Sequence, residues 1–186
     1  MKTIFRTILM VLLGVTLFSC NQNPKAATTQ TTSNEPPQPQ GQASVQDDTS
    51  SPNVLQIAIG SADHTTLVAA VQAASLENAL VNAGPLMVFA PTNDAFAKLP
   101  AGTVEDLLKP ENKPALSNIL RYHVTPGNYS KEFLKKFKKL GQANNGSVEV
   151  EVKGDDVYVG GAKIIASIPA SNGIIHVVDQ VILPKE

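Results

Sequence analysis

Apolar and polar positions change rhythm several times along this chain, and each change marks an element. Met87, Val88, Phe89 and Ala90 form a short unbroken apolar run. Such a run suits a strand buried on both faces. Pro91 ends it, because proline has no N–H for the ladder. Thr92 then stands where a helix N-cap belongs, and Asp94 suits the positive end of the helix dipole. Ala95, Phe96 and Leu99 are the first inward positions of that helix.

Before this strand the spacing is helical. Val54, Ile57 and Ala58 line one side of a helical turn. Leu67 and Val71 are spaced i, i+4 behind Asp63 or Thr65 as cap, and Leu76, Ala79, Leu80 and Ala83 give a further amphipathic helix. After it, Thr103 with Asp106 resembles a capping box that leads Val104, Leu107 and Leu108 into a short helix. Leu116, Ile119, Leu120 and His123 share a helical face. Ser130–Leu140 repeats Phe133, Phe137 and Leu140 at i, i+4, i+7 with lysines at 131, 135, 136, 138 and 139, which predicts a basic amphipathic helix.

From Asn145-Gly146 onward the period becomes two. Val148, Val150 and Val152 alternate with Glu149 and Glu151. Gly154-Asp155-Asp156 and Gly160-Gly161 turn into two further strands, so two successive hairpins are expected. The last long strand starts at Gly173. Ile174, His176, Val178 and Gln180 share one face; Ile175, Val177, Asp179 and Val181 share the other. Asp179 must then be hydrogen-bonded or stand where the strand bends.

Three strings in this order carry a resemblance. Val88–Phe96 (VFAPTNDAF), Tyr122-His123-Val124 with the preceding Leu116…Ile119-Leu120-Arg121, and Asn172–Pro184 are similar to the signature boxes of the fasciclin family. The resemblance covers about residues 53–184. It implies an α+β fold, a wedge of two antiparallel β-sheets with several α-helices packed on one side. It also implies a non-enzymatic, extracytoplasmic module for adhesion and matrix or protein–protein contact, without a cofactor. One departure is visible: Ser167 stands where the family commonly has an aspartate.

The amino terminus reads as an address. Lys2 and Arg6 precede an apolar run, Ile8–Phe18, shorter than the about 20 residues that span a bilayer. Leu17-Phe18-Ser19-Cys20 resembles a bacterial lipobox. Cys20 is the single cysteine in 186 residues. Residues 1–19 are thus expected to be a lipoprotein signal peptide and Cys20 the lipidated residue, with each buried methylene of its acyl chains contributing roughly 0.8 kcal/mol. Residues 20–52 are rich in Gln, Thr, Ser, Asn and Pro and hold too little apolar surface to fold, so they read as a disordered tether with a reach of about 30 Å. Residues 53–186 form one domain.

Composition narrows function. Without Lys2 and Arg6 the chain has 13 basic against 16 acidic residues, which argues against nucleic acid as a partner. His64, His123 and His176 are scattered without metal-ligand spacing. No G-x-S-x-G elbow or phosphate-binding glycine loop occurs. His123 reads as a partly buried histidine whose ring nitrogens hydrogen-bond the backbone of a neighbouring strand. A hydrolase would need a serine such as Ser117 or Ser171 within reach of a histidine.

Two functions remain. One is a module tethered to the cell envelope through lipid on Cys20, on the outer membrane, facing the periplasm or at the cell surface, that binds a protein or polysaccharide of the envelope or matrix. The resemblance implies a contact around Tyr122 and His123. The turn-rich segment Thr125–Tyr129 and the basic face that follows add Tyr129, Lys135 and Lys139. The other is a carrier of a small apolar ligand or lipid in the cleft between the sheets, which requires an apolar cavity.

Overall fold

The computed structural model describes residues 51–82 and 84–184; the expected signal peptide, Cys20 and nearly all of the tether lie outside them. At its centre, β1 (Leu86–Pro91) and β7 (Gly173–Val178) run side by side in parallel, Leu86 opposite Gly173 and Pro91 opposite Val178. Every residue of both strands is buried. The unbroken apolar run at Met87–Ala90 is thus a doubly covered strand, as its sequence demands. Side chains alternate between two separate cores. Leu86, Val88, Ala90, Ile175 and Val177 point to one; Met87, Phe89, Ile174 and Val178 point to the other.

The first core lies under helices. α1 (Val54–Ile59), α2 (Thr65–Ala73), α3 (Glu77–Asn82) and α6 (Lys113–Tyr122) cover that face. They bring Leu55, Leu67, Val71, Leu116 and Leu120 into it, with Leu76 and Leu80 packed against its edge. α4 (Asn93–Ala97) starts directly after β1, and Thr92 Oγ1 accepts from the Ala95 N–H as an N-cap should. α5 (Thr103–Leu107) completes this side.

The second core is closed by the remaining strands. β2 (Val124–Pro126) pairs antiparallel with β1. β3 (Lys139–Gly141), β4 (Ser147–Lys153), β5 (Asp156–Val159) and β6 (Ala162–Ala170) form the antiparallel run that returns to β7. The order across the sheet is β2-β1-β7-β6-β5-β4-β3. β6 pairs with β5 through Ala162 and Lys163, then shifts register between Ile164 and Ala166 and pairs with β7. Such an irregularity bends a strand, and here it turns one half of the sheet against the other. The far edges nearly meet, with the Ala143 N–H donating to the Val124 carbonyl at 2.8 Å. The α+β class and the helices on one side agree with expectation. The central pairing refines it, since β1 and β7 are parallel within an otherwise antiparallel sheet.

Three local expectations are corrected. The segment Ser130–Leu140 is a single helical turn, α7 (Lys131–Leu134), capped by Ser130, and Lys139 already belongs to β3. Lysines at i, i+4 repel along a helix, while pairing of β3 with β4 satisfies the backbone. The residue buried beneath the turn is Leu134, outside the apolar stripe of the sequence. At α2, neither Asp63 nor Thr65 caps; Asn93 reaches across from α4, accepting from the Thr66 N–H and the Thr65 hydroxyl while donating to the Ala62 carbonyl. At α5, Gly102 holds the N-cap position with φ 84°, so Thr103 falls inside the helix and forms no capping box.

Asn172 pins the helices to the sheet. Its side chain accepts from the Val54 N–H at 3.0 Å and donates to the Leu80 carbonyl at 2.7 Å, and its carbonyl accepts from the Leu86 N–H. Asp179, just past β7, accepts from the Lys163 N–H at 2.8 Å, which satisfies the carboxylate that the strand pattern left to be explained.

Close approach at the head of the central pair fixes the residue there. A Cβ added to Gly173 would stand 1.8 Å from the Leu86 carbonyl oxygen. Gly173→Ala is therefore expected to cost about 3 kcal/mol, read as a lowered urea midpoint, whereas Gly161→Ala, with open space around its Cβ, loses only what its left-handed backbone imposes.

Candidate functional site

The Tyr-His string lies where α6 ends and β2 begins. Tyr122 is 6% exposed, and its hydroxyl donates to the Ser147 carbonyl at 2.8 Å. His123 is 3% exposed. The Ile182 N–H donates to its Nε2 at 2.9 Å, so Nδ1 carries the proton and donates to the Ile119 carbonyl at 2.8 Å. The ring is a neutral clasp between α6 and the segment after β7. Burial pushes its pKa down to about 4, against the opposing pull of the Ile119 carbonyl. These two residues, expected at a contact surface, are inside the fold because their polar atoms complete backbone bonds there.

His176 is fully buried and stacks on Phe89 with ring centroids 5.8 Å apart. It bridges the Tyr129 carbonyl, 2.9 Å from Nε2, and the Ser167 hydroxyl, 2.7 Å from Nδ1. A carbonyl only accepts, so Nε2–H donates to it, and in the neutral ring Nδ1 accepts from Ser167. Burial lowers this pKa too, opposed by the Tyr129 carbonyl. Serine at 167 gives the ring a neutral partner, where an aspartate would supply a charge that favours imidazolium. His64 bonds Ser61 through Nδ1 at 2.8 Å, and its Nε2 has no hydrogen-bond partner among the described residues. Neither Ser117 nor Ser171 is hydrogen-bonded to a histidine among the described residues. Among them also, no group of three His, Cys, Asp or Glu residues is placed to hold a metal.

What does reach solvent is an aromatic cluster. Tyr129 stacks on Phe133 at 5.5 Å and meets Phe137 at 5.2 Å; Phe133 and Phe137 meet edge to face at 5.4 Å. Tyr129 and Phe137 rest on the second core, while Phe133 is 41% exposed. Lys136 lies over the Phe133 ring, 5.0 Å from its centroid. Lys135, Lys136, Lys138 and Lys139 are exposed and form no salt bridge among the described residues. The Asp156 carboxyl is held below its usual range mainly by its hydrogen bond to Lys163, with Lys131 and Lys135 adding to the effect, which sets these lysines near the end of β5. Lys139 stands apart on β3, opposite Glu149. The sequence placed Tyr129 and the lysines on the surface; the triple aromatic contact was hidden because it depends on Phe133 and Phe137 leaving the helix that their spacing suggested.

A second feature is an apolar cavity of about 280 Å³ on the helical side. It lies among α1, α2, α3 and α6 over the face of β1, lined by residues such as Val68, Leu80 and Val88. The carrier reading placed its cleft between the sheets; this cavity lies between helices and sheet instead, because the space between the sheet halves is filled by the second core.

The comparisons with known proteins meet this geometry. The family model for the fasciclin domain matches residues 62–184. The chain belongs to the fasciclin family. Protein sll1483 of Synechocystis is 51% identical over 132 residues, 70% of this chain and 73% of that protein. Immunogenic protein MPB70 of Mycobacterium bovis is 35% identical over 152 residues, 78% of this chain and 76% of that protein. Among solved structures, a fasciclin-domain pair from the insect cell adhesion molecule Fasciclin I aligns with 61% of this chain and 42% of its own, at 18% identity and a TM-score of 0.48.

The buried histidines make this fasciclin domain sensitive to acid. Unfolded, His123 takes up its proton near 6.5; folded, it does so only near 4. Between those values the unfolded chain binds more protons, so stability is full above 6.5 and falls as the pH drops towards 4. A shift of this size corresponds to about 3 kcal/mol, and the lowered values of His64 and His176 act in the same direction. His123→Leu is expected to lose about 1–3 kcal/mol at neutral pH, since two buried backbone groups lose their partner, and to show a flatter stability curve between pH 6.5 and 4. Urea unfolding at pH 7.5, 5.5 and 4.5 checks both; equal slopes in the two proteins would remove His123 as a titrating group.

Proposed function

We propose that this protein is a non-enzymatic interaction module of the bacterial cell envelope, held at a membrane by lipid on Cys20 and displayed on the segment that follows. Its fasciclin relatives are extracellular, adhesion-type proteins, which supports the coarse role. The cluster of Tyr129, Phe133 and Phe137, with exposed lysines beside it that form no salt bridge among the described residues, is the observation that carries the finer one. Aromatic side chains give contact area at low entropic cost and are enriched at binding hot spots. The surrounding lysines add attraction for negative charge. The partner that fits is therefore an acidic protein surface or an acidic polysaccharide of the envelope or matrix. Tyr122 belongs to the core on which Tyr129 and Phe137 rest, and His176 holds the Tyr129 carbonyl from inside.

The anchor reading rests on Leu17-Phe18-Ser19-Cys20. No helix of the described residues is long and apolar enough to cross a membrane, and the lipid on Cys20 would do the holding. Cys20→Ser is expected to move the full-length chain from the detergent phase to the aqueous phase on partitioning, with an unchanged melting temperature. A serine variant that still enters the detergent phase would place the anchor elsewhere.

The surface is tested with alginate as an acidic polysaccharide and dextran as a neutral one. Alginate is expected to bind and dextran not, with affinity falling as salt rises through physiological values, where the Debye length is about 8 Å. Phe133→Ala and the pair Lys135→Glu with Lys136→Glu should each weaken binding about tenfold or more, while melting temperatures barely move. Binding indifferent to salt and to all of these substitutions would put the interface on another face.

A further inference from the structure

The apolar cavity on the helical side has a polar extension, and the two share two residues. Arg121, in the last turn of α6, lines both the 280 Å³ cavity and a neighbouring surface groove. Ala143 also lines both. The rest of the groove is mostly polar, with Ser117 and Asn118 beside Pro114 from α6 and Asn144 and Asn145 from the turn before β4. No acidic side chain lines it. Arg121 is exposed and has no ion-pair partner among the described residues. An apolar chamber thus opens beside a patch of one hydroxyl and three amides that holds a guanidinium with no ion-pair partner among the described residues.

We propose that this is a binding site for a single-chain amphiphile with a monoanionic carboxylate head, a medium-chain fatty acid in chemical class. The tail would occupy the chamber among α1, α2, α3 and α6. An apolar cavity of about 150 Å³ already stays dry and takes a benzene-sized guest, so the larger one here suits a longer apolar group. At nearly twice that size, the chamber suits one apolar chain of moderate length better than the two chains of a membrane lipid. The head would lie in the groove. A guanidinium presents its N–H groups in a fixed fork that matches the two oxygens of a carboxylate. A single cation flanked by amides and a hydroxyl suits one negative charge better than the two of a phosphate monoester. The site is on the opposite side of β1 and β7 from the aromatic–lysine surface and does not depend on it.

Titration calorimetry of the full-length chain with decanoate, decyl phosphate and decanol, each below its micellar concentration, tests the assignment. Decanoate is expected to bind saturably, one per chain, and more tightly than the other two. Arg121→Gln should weaken decanoate about tenfold or more and decanol by less than about twofold. Leu80→Trp and Ala58→Phe, which place bulk in the chamber, should each abolish binding of all three. Methyl NMR shifts on adding decanoate to the unsubstituted chain should gather on Val68, Leu80 and Val88, a readout that needs no variant to fold. The absence of saturable decanoate binding, or binding that survives both filling substitutions with shifts elsewhere, overturns the site. Decyl phosphate binding more tightly, or an equal loss of decanoate and decanol on Arg121→Gln, overturns the carboxylate head.

Discussion

Everything in this domain is arranged around two adjacent strands that neither face can leave in water. β1 and β7 are buried along their whole length on both sides. Because successive side chains point to opposite faces, one strand pair must serve two cores at once. Fully burying a side chain such as Met87 or Phe89 contributes roughly 1.5–3 kcal/mol, and the same strand commits Leu86 and Val88 to the other side. A slip of one residue would exchange every one of these positions. Register is therefore held from outside the strands as well. Gly173 allows the Leu86 carbonyl to pass closely, Asn172 ties the head of the pair to α1 and α3, and the Thr92 N–H reaches the Val178 carbonyl at the other end.

Two histidines extend this arrangement to the periphery. Phe89 and His176 stand opposite each other in register and stack. His176 then reaches Tyr129 and Ser167, segments far apart in the chain. His123 holds the backbone at Ile182, a residue of the second core, against the end of the helix that covers the first. Each neutral ring donates once and accepts once, which a protonated ring cannot do. The chemistry of an imidazole is spent on structure in both places, and its two-sidedness is what the sites require.

How much of this was legible depends on whether the information is local. Met87–Ala90 showed double burial because no polar residue interrupts it. The alternation through Ile174–Val178 assigned each residue to the correct face, and Thr92 announced its cap. His123 as a backbone-bonded residue followed from the lack of chemical company, but its partners Ile119 and Ile182 lie in α6 and after β7 and not in the expected neighbouring strand. Non-local features were invisible. Nothing in either strand says that β1 and β7 run parallel, since that follows from the path between them. The cap of α2 comes from Asn93, 27 residues beyond the N–H it satisfies. Phe133, Phe137 and Leu140 have helical spacing, yet the helix ends after one turn because β3 gains a partner in β4. The cavity is the hardest case. It is made of residues that each look like ordinary core, and only the assembly of α1, α2, α3 and α6 over β1 leaves the space between them.

The two cores differ in what they expose, and the difference follows from what closes them. Strands close the second core, and strands leave little room: Val148, Val157, Val159 and Ile164 are at most 1% exposed. What remains outside is the aromatic cluster, whose inner members Tyr129 and Phe137 rest on that core and whose outer member Phe133 does not. Short helices close the first core. α1 and α3 have six residues each, too few to be stable alone, so their positions depend on what they pack against. Asn172 fixes one end of each, leaving the side chains between them and the sheet to set the spacing. An aromatic and lysine-rich outer surface therefore stands on one side of the doubly buried strands and an apolar chamber on the other. Contact between the two sides passes through β1, β7 and the His123 clasp, all of them buried. The architecture thus separates the two proposed sites by a strand pair that serves both cores at once.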